Sequence, residues 1–303
     1  GKTTIGPNSG SADQATLTCS SGTMSLGSTK TDGLGLHVQQ GGTFVGGSGT
    51  HTMGSLAVDN NAAAKFTNTS GVNTLNGHSN DSTRVIIGGA LSTCTAAGTI
   101  TITYAGGGYN FQNGNAALIN NLTLNSNVTA NLSAATSITG DLTISQGTLT
   151  TTASNYALTV TGELSNAGTF TGNASLVTVR NLLITAGTFT APSDSGSGDL
   201  VITGEGNAGS GDGYAFRRTG GTFTHSSGTV TFTDNTTVSV RMNGVGSGQK
   251  FNNVILNEAS AGLILQTNDE GFYCEGDLTL TAGDFDLTSS AALVTVDGDV
   301  SIA

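Results

Sequence analysis

The sequence has few charged residues, almost no proline and no tryptophan. Lys, Arg, Asp and Glu make up 10% of the 303 residues, and the two prolines are Pro7 and Pro192. Strong helix formers are therefore scarce, which argues against an ordinary helical or mixed enzyme fold. Disorder is not the better interpretation, because 36% of the residues are hydrophobic and alternate with polar ones. We expect an ordered, strand-rich chain.

Basic residues are too few and too scattered to follow a nucleic acid backbone. The chain has nine Lys and Arg against 20 Asp and Glu, a formal net charge of −11. Because phosphate recognition needs a basic patch, we expect no nucleic acid partner. An acidic surface coated with Thr and Ser suits an extracellular particle. Apolar runs of membrane-spanning length are also missing, so no membrane insertion is expected.

Cysteine and histidine form no metal-binding pattern. The three cysteines are far apart and show neither a CxxC nor a Cys/His spacing: Cys19, Cys94 and Cys274. The four histidines are likewise separate: His37, His51, His78 and His225. We expect the cysteines to act as small buried side chains and the histidines to lie at surface or corner positions. No cofactor is expected.

Glycine and threonine, by contrast, recur in repeated phrases. The phrases GTLT and GTFT begin 21 and 19 residues apart, at Gly147, Gly168 and Gly187. In the first third, apolar residues step by 20 and 22 at Met24, Phe44 and Phe66. Short alternating strands with such a period, punctuated by Gly, Asn and Ser, are typical of a solenoid. We predict an all-β parallel β-helix (β-solenoid) with rungs of about 19–22 residues.

The alternation within each strand predicts which side chains face inward. In TVTFT (229–233), Val230 and Phe232 share one face and the threonines the other. Stacked copies would place Phe over Phe inside and a ladder of Thr outside. A β-sandwich is the competing architecture, but it does not require equivalent strands to recur at this spacing.

A longer unit of the sequence is duplicated. Residues 141–165 align without a gap on 277–301, at an offset of 136, and ten residues are identical. Upstream, 119–125 matches 251–257 at an offset of 132, and 98–103 matches 228–233 at 130. We predict one continuous solenoid over 1–303 with a duplicated superrepeat at approximately 98–165 and 228–301. The opening GKTTIG has no initiator Met or signal peptide, so we expect a segment of a longer chain.

Acidic residues in the last quarter are the main candidates for chemistry. Asp284 and Asp286 are two residues apart and so share a strand face, as do Asp297 and Asp299. The stretch NDEGFYCEGD (268–277) adds further carboxylates beside two aromatic residues. Such a cluster would bind Ca²⁺ or act on a polysaccharide, and the alternative is a solvated acidic corner. Asp284, Asp286, Asp297 and Asp299 are therefore Ca²⁺ candidates, and we predict no catalytic residue.

Arg217 and Arg218 form the only basic doublet of the sequence. With Tyr214 they are candidates for binding an anionic glycan or a neighbouring subunit. The alternative is a longer loop between two rungs.

Several phrases resemble those of known repetitive proteins. They include GDLTISQGTLTT (140–151), ALTVTGELSNAGTFTGNAS (157–175), GGTFTHSSGTVTFTD (220–234) and FNNVILNEAS (251–260). These are similar to long repetitive proteins of marine bacteriophages, interpreted as virion fibre or appendage proteins. β-Helical bacterial adhesins of the filamentous-haemagglutinin and autotransporter kinds contain similar repeated sequence phrases. The resemblance implies a spacer, scaffold or adhesive surface.

The sequence thus predicts a non-enzymatic structural segment of a phage fibre at the virion surface. It would act as a spacer or as a contact to a host cell-surface glycan or protein, and it would associate with itself by end-to-end stacking. One alternative is a bacterial cell-surface adhesin or extracellular filament subunit. Another is a polysaccharide-degrading tailspike that uses the acidic residues of 269–299.

Overall fold

The chain folds into two compact units, Gly1–Thr150 and Thr151–Ala303. The computed structural model describes residues 3–6, 14–26, 35–78, 84–193, 199–205, 213–233, 238–242, 249–257, 265–267, 271–283 and 293–302. Within these ranges there are strands and turns but no helix. The all-β parallel β-helix predicted from the sequence is confirmed. A single continuous solenoid over 1–303 stays a prediction.

The first unit is built of short strands joined by corners. In chain order they are β1 (Thr3–Ile5), β2 (Ala15–Thr18), β3 (Met24–Leu26), β4 (Leu36–Val38), β5 (Gly42–Val45), β6 (His51–Met53), β7 (Leu56–Val58), β8 (Lys65–Thr67), β9 (Val72–Leu75), β10 (Arg84–Gly88), β11 (Thr93–Thr95), β12 (Thr99–Ile102), β13 (Tyr109–Asn113), β14 (Asn121–Leu132), β15 (Thr136–Ile138) and β16 (Leu142–Thr150). From β1 to β10, each strand pairs in parallel with the third strand after it. Three strands therefore make one coil of the solenoid.

The second unit follows the same plan. Its strands are β17 (Leu158–Asn166), β18 (Thr169–Thr171), β19 (Val177–Ile184), β20 (Thr188–Thr190), β21 (Asp199–Ile202), β22 (Phe216–Arg218), β23 (Thr222–Thr224), β24 (Thr229–Phe232), β25 (Val238–Met242), β26 (Asn253–Asn257), β27 (Leu265–Thr267), β28 (Phe272–Cys274), β29 (Leu278–Ala282), β30 (Val294–Val296) and β31 (Val300–Ile302). The long strand β19 turns a corner, because its first part pairs with β21 and its second with β22. The next three strands, β20 to β22, again pair with the third strand after them.

The spacing of stacked residues varies with the loops between strands. Leu158 pairs with Val177, nineteen residues on, and Leu36 with Leu56, twenty residues on. Thr3, in contrast, pairs with Leu36, thirty-three residues on. The predicted rung of 19–22 residues thus describes the shorter coils, and other coils carry extra residues in their loops.

Alternation of side chains produces the core. In β18, β20 and β23 the sequence TFT occurs three times, with each Phe buried and the flanking threonines more exposed. The strands pair in register, so Phe170, Phe189 and Phe223 stack one over the next, with ring centroids 4.7 and 6.1 Å apart. Dispersion and removal of apolar area from water both favour this arrangement.

One step of the sequence period in the first unit does not join stacked residues. Phe44 does pair with Phe66, with centroids 5.3 Å apart, but Leu17 and not Met24 lies on the other side of Phe44. Met24 pairs instead with His51 on another side of the coil. The spacing of twenty residues was therefore a coincidence of loop lengths at that point.

A recurrent hydrogen bond explains the phrase Gly-Asp-Leu-Thr at the start of two strands, β16 and β29. The carboxamide Oδ1 of Asn121 accepts from the backbone N–H of Asp141, and that of Asn253 accepts from Asp277, each over 2.9 Å. A Cβ at Gly140 or Gly276 would lie 2.2 Å from that oxygen, which is too close. Glycine at this position thus lets a side chain of one coil contact the backbone of the next.

Equivalent phrases of the predicted duplication occupy equivalent positions in the two units. In each unit three strands follow one another in one ladder: β12, β14 and β16 in the first, and β24, β26 and β29 in the second. Their registers agree at the sequence offsets of 130, 132 and 136. The corresponding pairs are Ile100 with Leu122, Leu122 with Leu142, Val230 with Val254, and Val254 with Leu278.

Candidate functional site

The predicted Ca²⁺ candidates do not form a site in the described residues. Asp284 and Asp286 lie outside them. Asp297 and Asp299 do not share a strand face, because they lie at the corner between β30 and β31. Asp297 accepts a hydrogen bond from the Tyr273 hydroxyl, whereas the backbone N–H of Asp299 donates to Asp277 Oδ1. Within the described ranges, no group of three or more His, Cys, Asp or Glu is placed to hold a metal ion.

The basic doublet is part of strand β22 and its two side chains separate. The Arg217 guanidinium lies 5.3 Å from the centre of the Tyr214 ring, a cation–π distance. Arg218 is aligned with the inward residues Ile184 and Met242, is 7% exposed, and donates from Nη1 to the Gly221 carbonyl. The structure thus places the doublet in a strand and not in a longer loop between two rungs. Arg217 and Tyr214 remain candidates for a ligand, while Arg218 is a buried residue.

Two of the histidines are inside the first unit, contrary to expectation. His51 is fully buried, and its Nε2 lies 2.8 Å from the Gly46 carbonyl, while His78 is 8% exposed. The cysteines fit their prediction in part. All three are free thiols in the structure, but only Cys274 is buried, and its burial raises the pKa of the thiol to about 11.

A polar cluster on the outside of the second unit is the strongest candidate site. It consists of His225, Lys250, Tyr273, Glu275 and Asp297, and we call it the β28 cluster. Strand β28 buries Phe272 and Cys274 and turns Tyr273 outward. A parallel bridge between Phe251 and Cys274 brings Lys250 beside Tyr273, and the pairing of β28 with β30 brings Asp297 close. Four successive passes of the chain thus contribute to one surface.

Charges in the β28 cluster are mutually compensated. The Glu275 carboxylate pairs with the Lys250 ammonium through Oε1, and its Oε2 lies 2.9 Å from His225 Nε2. The hydrogen bond from Lys250 lowers the pKa of Glu275, and the same bond raises the pKa of Lys250. Tyr273 donates to Asp297 Oδ2 over 2.8 Å, which raises the pKa of the phenol. Both charges of the ion pair are therefore present at neutral pH.

Both ring nitrogens of His225 have partners in this cluster. Its Nδ1 accepts from the backbone N–H of Ser227 over 3.0 Å, so the proton is on Nε2 and points to Glu275. Ser226 and Ser227 both have a positive φ, of 50° and 58°, and this turn brings the ring back over the strand. The alternation of the sequence does not reveal such a turn, and we did not expect a role for His225.

The β28 cluster presents groups that recognise a polar ligand. An aromatic ring, an ammonium 5.3 Å from its centre and two carboxylates lie on neighbouring coils and are partly exposed. Such groups offer hydrogen bonds to hydroxyls and an apolar ring face. As an acid catalyst Glu275 is poorly suited, because its pKa is lowered and a general acid needs a raised one.

Comparison with models of protein families, with curated proteins and with solved structures finds no match to this chain.

No helix in the described part of the chain is long and apolar enough to span a bilayer.

Proposed function

We propose that this chain is a non-enzymatic structural and adhesive segment of a bacteriophage virion fibre. The observation that carries the proposal is the in-register stacking of like residues, such as the three TFT strands β18, β20 and β23. A solenoid of this kind is stabilised coil by coil and can be lengthened without a larger core. These properties suit a spacer that holds a recognition element away from a particle. The resemblance of the repeated phrases supports the virion surface as its location.

The adhesive part of the proposal rests on the β28 cluster. A host cell-surface glycan or protein is the partner that its exposed ring, cation and carboxylates fit best. Arg217 and Tyr214 offer a second outward cation–π pair in the same unit. The fibre segment would thus combine spacing with weak, multivalent surface contact.

A second copy of this chain is the other partner in the proposal. End-to-end stacking would follow the arrangement within each unit, where coils are stabilised by parallel, in-register pairing with the coils that follow them.

Electron microscopy of the native assembly tests the proposal. Gold-labelled antibodies against an exposed stretch of this chain would be applied to purified virions and to washed host cells. We expect label on virion appendages. Label on filaments of uninfected cells would contradict the phage proposal and favour the alternative, a bacterial surface adhesin or filament subunit.

A polysaccharide-degrading tailspike is the second candidate function. Glu275 and Asp297 lie on adjacent coils beside Tyr273, which is the one observation that favours it. The lowered pKa of Glu275 argues against it. Release of reducing ends from host polysaccharide, lost in Glu275→Gln and Asp297→Asn, would establish the tailspike. We expect no release.

A further inference from the structure

The first unit contains a cavity that the proposed function does not use. Its volume is about 400 Å³, within the range of small-molecule sites. It lies along outward positions of the ladder formed by β4, β7, β10 and β13. Four successive coils contribute His37, Ala57, Ile87 and Gln112, which are aligned by the strand register.

Small residues at one corner make the cavity. After the strands, the chain turns through Gly88–Ala90 and Gly114, and Ala134 also lines the space. Larger side chains at these positions would fill it. Ala57 is 3% exposed, so it forms the floor between the His37 and Ile87 coils.

The polar wall of the cavity is prearranged. His37 Nε2 and Asp59 Oδ1 are 2.6 Å apart, and because a carboxylate only accepts, the histidine donates. The backbone N–H of Asp59 donates to the Val38 carbonyl over 2.9 Å, which fixes the residue at the corner. The Asp59 side chain is 37% exposed, so its carboxylate is accessible from the cavity. Gln112 adds an amide on the opposite side.

These groups decide the class of ligand. Among the described residues that line the cavity there is one carboxylate and no Lys or Arg, so an anionic ligand would meet electrostatic repulsion. Ala57 and Ile87 offer an apolar surface, while Asp59 and Gln112 offer hydrogen-bond acceptors and a donor. A ring with C–H groups on one face and hydroxyls at its rim satisfies both. We propose that this cavity binds one neutral sugar unit of a saccharide.

The inference rests on the proposed adhesive function only in naming a surface glycan as the natural source of the sugar. Occupancy of the cavity is tested without a virion or a cell. A failure of one proposal is therefore distinguishable from a failure of the other.

Saturation-transfer NMR with free monosaccharides tests the inference. The probes are glucose, galactose and N-acetylglucosamine, with glucuronate as the anionic comparison. We expect at least one neutral sugar to bind with a Kd of roughly millimolar order, as for weak small ligands, and glucuronate not to bind.

Three variants locate the binding. Ala57→Leu fills the floor and should abolish the signal, and Asp59→Asn, which keeps the shape, should weaken binding by at least about tenfold. Thr101→Leu, an outward change on β12 in the same unit, is the matched control and should bind as the wild type does. Circular dichroism checks each fold, and Asp59→Asn retains the test if Ala57→Leu does not fold. Binding of none of the neutral sugars, binding unchanged in Asp59→Asn, or preference for glucuronate would overturn the inference.

Discussion

At the scale of single residues, stacking depends on contacts between one coil and the backbone of the next. Asn121 and Asn253 accept from the backbone of the following coil, and Asp277 does the same for Asp299. The donor is the backbone N–H of the Asp in a Gly-Asp corner, and the Gly leaves room for the accepting side chain. This hydrogen bond therefore needs both the accepting side chain and the glycine. A change in either partner should therefore affect the other.

Gly140→Ala should destabilise the first unit by about 1–3 kcal/mol, the usual cost of overpacking. The new Cβ would lie 2.2 Å from Asn121 Oδ1, so the carboxamide must move and lose its bond to Asp141. Gly22→Ala is the matched control, because a Cβ there meets nothing within 4 Å. Chemical denaturation measures both.

The double variant Asn121→Ala/Gly140→Ala separates this contact from a general intolerance of alanine. Without the Asn121 carboxamide, Gly140→Ala should cost clearly less than it does in the wild type. Additive losses would contradict the account of the corner.

Protonation of Glu275 should respond to Lys250. The pKa of Glu275 is lowered from its ordinary value of 4.5, so the ion pair stabilises the fold above that pH and is lost as the pH falls through the lowered pKa. The pKa of Lys250 is raised from 10.5, so its contribution is lost only as the pH rises through the raised value.

Carbon NMR of the Glu275 carboxyl measures this shift. Lys250→Met should move the pKa of Glu275 back toward its ordinary value. Lys65→Met, a change on an exposed side chain of the first unit, should leave it where it is. An unchanged pKa in Lys250→Met would show that the ion pair does not exist in solution.

At the scale of strands, the inward column of phenylalanines carries much of the second unit's packing. Phe189 lies between Phe170 and Phe223 and is fully buried. Phe189→Ala should cost about 3–5 kcal/mol, because a cavity would open in the stack. Thr190→Ala, on the outer face of the same strand, should stay within about 0.5 kcal/mol.

Hydrogen exchange of amides in β18, β20 and β23 is the suitable measurement, since coils of a solenoid can open locally. Phe189→Ala should reduce protection in all three strands. Equal loss of protection in Thr190→Ala would contradict the assignment of faces.

Strand alternation made the faces predictable, but it could not give every partner. TFT and TVTF predict which residues are inward, and the structure agrees for TFT and for Val230 and Phe232. Thr229 was predicted to face outward but is buried, at 8% exposure. The step of twenty residues from Met24 to Phe44 does not join stacked residues, because loop lengths vary between coils and a period alone cannot tell which of three sides a strand belongs to.

The candidate sites were harder to predict for a related reason. The β28 cluster and the cavity bring together residues from coils more than twenty positions apart, such as Lys250 with Glu275 and His37 with Asp59. The sequence analysis did single out the acidic residues near 275 and 297. The position of His225 was not predictable, because it depends on positive φ angles at two serines, a conformation that serine rarely adopts. Composition also gave no hint of a cavity, because small residues are common throughout this chain.

At the scale of the molecule, each unit repeats one physical arrangement. Parallel pairing stacks equivalent side chains, so a side chain that packs well in one coil also packs well at the same position of the next. The registers agree between the two stretches that the sequence aligns. The proposed role as a fibre segment follows from this property more than from any single site. The β28 cluster and the cavity are then surface features carried by the coils.

Parallel, in-register stacking is the central claim, and distances between spin labels test it most directly. Cys19, Cys94 and Cys274 would first be changed to Ala. Pairs among Thr169, Thr171, Thr188 and Thr190 would then be changed to Cys and labelled with nitroxides. Parallel pairing aligns Thr169 with Thr188 and Thr171 with Thr190, about 4.8 Å apart at the backbone. We predict strong coupling in these two pairs and weaker coupling in the crossed pairs, Thr169 with Thr190 and Thr171 with Thr188. Stronger coupling in the crossed pairs would mean antiparallel strands and would contradict the solenoid.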